Sequence, residues 1–129
     1  MHITFIKEIF AMINITGIAH IALTVNNFKA AKKFYSQILS FLGMQKVFDG
    51  NEMLYYIGGK TAFAIKACKP EFRDDKFEQN RVGLHHLCFR ALSRKDIDKL
   101  YSFLIKIKAK IITPPQEGPW APWLLLPIV

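Results

Sequence analysis

At 129 residues, with 51% apolar and 22% charged side chains, the chain is long enough to bury one core and too apolar to remain disordered. Its formal charge of +8 comes from lysines scattered over two helical patterns rather than gathered on one face. That argues against a nucleic-acid partner and fits solvated helix faces or an anionic substrate. The apolar run from Trp120 to Val129 is about ten residues and contains Pro122 and Pro127, too short to cross a bilayer.

Residues 1–11 read as an N-terminal extension, because Lys7 and Glu8 interrupt its apolar character and no small-residue cleavage site follows. His2 lies within it. From Ile18 to Val25 apolar residues alternate with small or polar ones, between Gly17 and Asn26-Asn27, which predicts a strand. Asn27 is placed to cap a helix whose apolar stripe is Phe28, Ala31, Tyr35, Ile38, Leu39 and Leu42, ended by Gly43. Three β-rich runs follow at 44–48, 53–57 and 61–68, separated by the turn sequences Asp49-Gly50-Asn51 and Gly58-Gly59-Lys60. The first unit is therefore β-α-β-β-β.

A polar link over 69–81 leads to a second strand at 82–91. Ser93 then caps a helix, with Asp96 completing a variant capping box and Ile97, Leu100, Tyr101, Leu104 and Ile105 as its stripe. A further strand is predicted at 109–113, stopped by Pro114-Pro115. Cys68 and Cys88 fall in predicted strands without metal-type spacing, so reduced thiols and a cytoplasmic setting are expected.

The chain repeats itself at a separation of 66 residues. Gly17-Ile18-Ala19-His20-Ile21-Ala22-Leu23-Thr24-Val25 aligns without a gap on Gly83-Leu84-His85-His86-Leu87-Cys88-Phe89-Arg90-Ala91. Lys29, Lys33, Tyr35 and Ser36 then fall on Lys95, Lys99, Tyr101 and Ser102. One structural unit used twice is implied, and the register pairs His20 with His86. Because adjacent strand residues point to opposite faces, only one of His85 and His86 is expected to face a shared cleft.

Paired β-α-β-β-β modules with a histidine early in each first strand resemble the vicinal oxygen chelate superfamily: glyoxalase, bleomycin-resistance and dioxygenase proteins. Gly17 to Tyr35, Val82 to Tyr101 and Pro114 to Pro122 are especially similar to small bacterial glyoxalase-like (lactoylglutathione lyase-like) members. The resemblance implies an α+β fold in which paired modules form a curled mixed sheet around a cleft. It implies one glyoxalase-like domain over 1–129, with a first module at 13–68, the linker at 69–81 and a second module at 82–129 that lacks its last two strands.

The resemblance further implies a divalent metal (Zn, Ni, Mn, Co or Fe) held by His20 and His86, gripping two vicinal oxygens of a small substrate as a Lewis acid. On that footing the chain is a metal-dependent lyase or isomerase, and a homodimer without nucleic-acid or membrane partners. The alternatives are a metal-free, ligand-sequestering protein of the bleomycin-resistance kind and an extradiol-type dioxygenase. Tyr55 and Phe63 are expected to line the cleft. Arg90 is expected to meet a substrate anion or to form a strand-end salt bridge.

One part of the family pattern is missing. Relatives continue with Gly-Tyr-Tyr-x-x-x-Phe-Glu-Asp-Pro-Asp-Gly and then a strand bearing a ligand glutamate, where this chain reads Trp123 to Val129. Written as TGG TTA TTA TTG CCT ATT GTT followed by the stop TGA, that segment becomes Gly-Tyr-Tyr-Cys-Leu-Leu-Phe when its first base is dropped, so a reading-frame slip is the expectation. Without the glutamate, metal binding is expected to be weak and isomerase activity slight. Glu52 and Glu117 would be only improvised replacements.

Overall fold

The computed structural model describes residues 12–117 and 126–128. The first half folds as its pattern dictates. β1 (His20–Val25) leads into α1 (Phe28–Phe41), followed by β2 (Gln45–Asp49), β3 (Met53–Gly58) and β4 (Thr61–Ala67). These four strands make one curled sheet in the order β1-β4-β3-β2. β1 runs parallel to β4, and the other two pairings are antiparallel. The β3–β4 hairpin turns on Gly59 and Lys60, with φ of 59° and 61°. Two consecutive positive φ values give the primed turn whose twist suits flanking strands.

α1 starts where Asn27 accepts a hydrogen bond from the Ala30 backbone N–H at 3.1 Å. The spacing of its apolar residues turns Tyr35, Ile38 and Leu39 onto the sheet. There they meet Leu54, Tyr56, Phe63 and Ile65 in one core cluster. Phe63, Ile38, Leu39, Leu54 and Ile65 are fully buried, and each contributes about 1.5–3 kcal/mol of apolar burial.

The second half uses fewer strands. A short 3-10 turn (Pro70–Phe72) opens the linker. β5 (Leu87–Phe89) precedes α2 (Arg94–Lys106), and β6 (Leu126–Ile128) pairs antiparallel with β5. Ser93 caps α2 by accepting from the Asp96 backbone N–H at 3.3 Å, the counterpart of the Asn27 cap. α2 buries Ile97, Leu100 and Leu104. Leu100 and Leu104 join the first module's core, and Phe103 stacks on Phe41 with ring centroids 4.0 Å apart.

Three expectations are corrected here. The strand predicted at 82–91 is confined to Leu87–Phe89, because among the described residues its only pairing partner is β6. No strand forms at 109–113, which runs as an irregular connection; without a neighbour to accept its ladder, β propensity alone does not make a strand. Ile105, assigned to the α2 stripe, is 54% exposed. The proposed extension at 1–11 and most of the tail from Trp120 lie outside the described residues.

Candidate functional site

Among the described residues, β1 is an edge strand. Its register with β4 places the N–H and C=O groups of the odd-numbered residues in the ladder, as the bonds from Ala62 N–H to the Ala19 carbonyl and from Cys68 N–H to the Val25 carbonyl show, both 2.9 Å. Those of Ala22 and Thr24 point outward. The side chains alternate too: Ile21, Leu23 and Val25 pack toward the helices, while His20, Ala22 and Thr24 are exposed.

The linker runs opposite this free edge and encloses a trench of about 910 Å³. Leu23, Val25 and Tyr35 line its inner wall, and Phe72, Phe77 and Leu84 line the linker side. Its charged lining comprises Lys66, Lys69, Lys76 and Arg81, with Asp75 and Glu78. Asn26 ties the two walls together by donating from Nδ2 to the Asp75 carbonyl at 2.8 Å. Burial pushes the Tyr35 hydroxyl's pKa up, so it is a neutral hydrogen-bonding group at physiological pH.

The sequence missed the trench's outer wall. Residues 69–81 read as a polar link, yet Phe72 and Phe77 stand among its charges. Two half-exposed aromatics in a charged connection were the available signal.

The predicted site residues divide. His86 lines the trench; His20, the first residue of β1, stands on the sheet face away from the helices and does not line it. His85 and His86 precede β5, so strand alternation does not separate them. Their Nδ1 atoms lie 2.7 Å apart, one donating and the other accepting, and Gln79 Nε2 donates to the His85 carbonyl at 3.1 Å. Of the two, His86 lines the trench and His85 does not.

Tyr55 is half-buried on β3 opposite Ala64, on the same sheet face as His20. Phe63 is fully buried on the helix face, its ring 5.5 Å from that of Tyr35 and 5.8 Å from that of Phe89. It has no surface to offer a ligand, and its expected place in the cleft is revised to the core. Arg90 is exposed just beyond β5 and does not line the trench; among the described residues it makes no salt bridge.

The donor set is the test for a metal. Among the described residues, no group of three or more His, Cys, Asp or Glu side chains is arranged to hold an ion. Glu117 is engaged by the Arg94 guanidinium, and Cys88 is kept a thiol by burial, which raises its pKa. The described side chains therefore do not fit a three-ligand centre of the histidine–carboxylate type.

Comparison with known proteins settles the kinship. A profile for the glyoxalase/bleomycin resistance protein/dioxygenase superfamily matches residues 17–123. The chain belongs to that superfamily. It is 27% identical over 81 residues to the uncharacterized protein YqjT of Bacillus subtilis, a match spanning 63% of each chain. Among solved structures, a candidate glyoxalase from Bacillus halodurans superposes with a TM-score of 0.66 at 26% identity, covering 72% of this chain and 70% of that one. Lactoylglutathione lyase from Agrobacterium tumefaciens shares the fold, with a TM-score of 0.57 at 17% identity over 81% and 79% of the two chains. Among the described residues, no helix of this superfamily member is long and apolar enough to cross a membrane.

Proposed function

We propose that this superfamily member binds a small organic molecule in the trench beside β1. The observation that carries this reading is the cavity itself. A concavity of about 910 Å³ lies in the size range of small-molecule sites, which combine apolar walls with a few polar groups. Here the apolar walls come from two different elements, β1 and the linker, held together by the bond from Asn26. Sequestration of a ligand is the part of the superfamily's repertoire that such a cavity supports.

The test is a fluorescence titration with phenylnaphthylamine, a neutral dye that brightens in apolar surroundings. Saturable one-to-one binding is expected, weakened at least about tenfold in the variant Phe72→Ala/Phe77→Ala, by analogy with the loss of buried apolar area. Both rings are half-exposed, so the fold should survive their removal. Absence of saturation, or indifference to the double substitution, would remove the trench from consideration.

A second reading is favoured by the matched positions of His20 and His86 in the repeat. It makes the chain a metal-dependent lyase or isomerase, with those two histidines as ligands for a divalent ion such as Zn, Ni, Mn, Co or Fe. Metal analysis of the purified protein tests it: about one equivalent of metal per chain, lost in both His20→Ala and His86→Ala, is the result it requires.

A further inference from the structure

We propose that the trench selects amphiphilic anions: molecules with an aromatic or alkyl body and a single carboxylate or sulfonate head. This rests on the reading of the trench as a small-molecule site and adds the chemistry of its occupant. The lining combines two characters. Leu23, Val25, Phe72 and Phe77 supply apolar wall that suits a ring or an alkyl chain. Lys66, Lys69, Lys76 and Arg81 supply four positive charges to the same cavity, against two negative charges from Asp75 and Glu78.

None of the four cations forms a salt bridge with another described residue. Glu78 instead accepts a hydrogen bond from the Asn80 backbone N–H at 3.1 Å, and the Asp75 carboxylate makes no ion pair among the described residues. A lone exposed lysine attracts an anion weakly. Several cations lining one cavity with apolar walls act together and raise the local concentration of an anion.

The polar groups in the wall have the matching character. Among the described residues, the outward N–H groups of Ala22 and Thr24 are donors without a strand to pair with, and Tyr35 also lines the trench. An anionic head can accept from such donors; the outward carbonyls of the same edge offer acceptors as well, so discrimination between charges falls to Lys66, Lys69, Lys76 and Arg81.

The experiment compares two dyes of one ring skeleton, anilinonaphthalenesulfonate and the neutral phenylnaphthylamine, on the wild-type chain and on Lys76→Glu/Arg81→Glu. Both substituted residues are exposed, and circular dichroism checks that the fold is unchanged. The sulfonate should bind on the order of tenfold more tightly than the neutral dye at low salt. High salt or the charge reversal should abolish that preference, lowering the sulfonate's affinity far more than the neutral dye's. Decanoate should displace the sulfonate where decanol does not. If both dyes bind equally and charge reversal changes neither, the selectivity is overturned and the trench stands as an apolar site. If neither dye saturates, the trench reading and this inference fall together.

Discussion

The two modules begin with the same instructions and end as different structures. Gly17 and Gly83, equivalent in the repeat, adopt φ of 137° and 144°. Asn27 and Ser93, also equivalent, cap their helices through the same bond to the third residue on. Each helix closes in the same way: the N–H of Met44 reaches the Leu39 carbonyl and that of Ala109 the Leu104 carbonyl, at 3.0 and 2.9 Å. Yet β1 runs for six residues and β5 for three. Local signals survive the repeat because they are satisfied within a few residues. Strand length does not survive, because it is decided by the partner: β1 has all of β4 alongside it, and among the described residues β5 has only β6.

The largest expected effect breaks this comparison at its core. Phe63 touches Tyr35 of the first module and Phe89 of the second, so Phe63→Ala should cost about 3–5 kcal/mol and loosen both halves. Chemical denaturation followed by near-UV and by far-UV circular dichroism should show one shifted transition. Two separated transitions would mean that the modules do not share a core.

Leu104→Ala probes the second module's share of that core. A loss of about 2–4 kcal/mol is expected, since Leu104 is 5% exposed within the common cluster. A loss below about 1 kcal/mol, the range of an exposed site, would show α2 to be merely attached. Matched cap deletions sharpen the comparison further. Asn27→Ala and Ser93→Ala should each cost about 1 kcal/mol, and a clear inequality in thermal unfolding would show that one helix depends less on its own cap.

The helix ends carry a smaller, opposite prediction. Gly43 follows α1 with φ of 79°, and Lys108 follows α2 with φ of 59°. The left-handed conformation suits glycine and strains a residue with a Cβ. Lys108→Gly should therefore raise stability by about 0.5–1 kcal/mol, read as a higher denaturation midpoint. Gly43→Lys should do the reverse.

The smallest effect concerns pH. Hydrogen bonds from Lys32 and then Lys46 hold the Asp49 carboxyl below the usual carboxylate range. A lowered folded-state pKa gives stability above the unfolded carboxylate value, and that stability is lost as pH falls through the folded one. Asp49→Asn should slightly flatten the acid limb of the stability profile. These side chains are solvent-exposed, so salt should shrink the difference.

This asymmetry also explains what could be read from the sequence. The first module's elements were legible almost to the residue, since periodicity, turn residues and partner strands all agreed. In the second, the Ser93 cap and the helix were legible, but the strand at 109–113 was expected from propensity without a partner and does not form. The candidate site was the least legible. His86 was singled out by register and does line the trench, but Phe63 reads as a cleft aromatic only until its neighbours bury it. The trench depends on a linker folding back along β1, a non-local event. Nothing in residues 69–81 taken alone encodes it beyond the two aromatics.

The opposite margin of the sheet matters for a different property, the behaviour of the protein in crowded solution. Among the described residues β2 is the other edge strand, and Val47 and Phe48 are each 52% exposed there. A flat edge of that kind invites the same edge of another molecule to stack on it and to propagate into fibres. Here the register slips between Lys46 and Phe48, and Lys46 and Asp49 place a bonded charge pair beside the slip. The irregularity interrupts the even row of donors and acceptors that a growing aggregate would copy. A defect in the ladder thus acts as a guard, keeping an oily margin from becoming a seed.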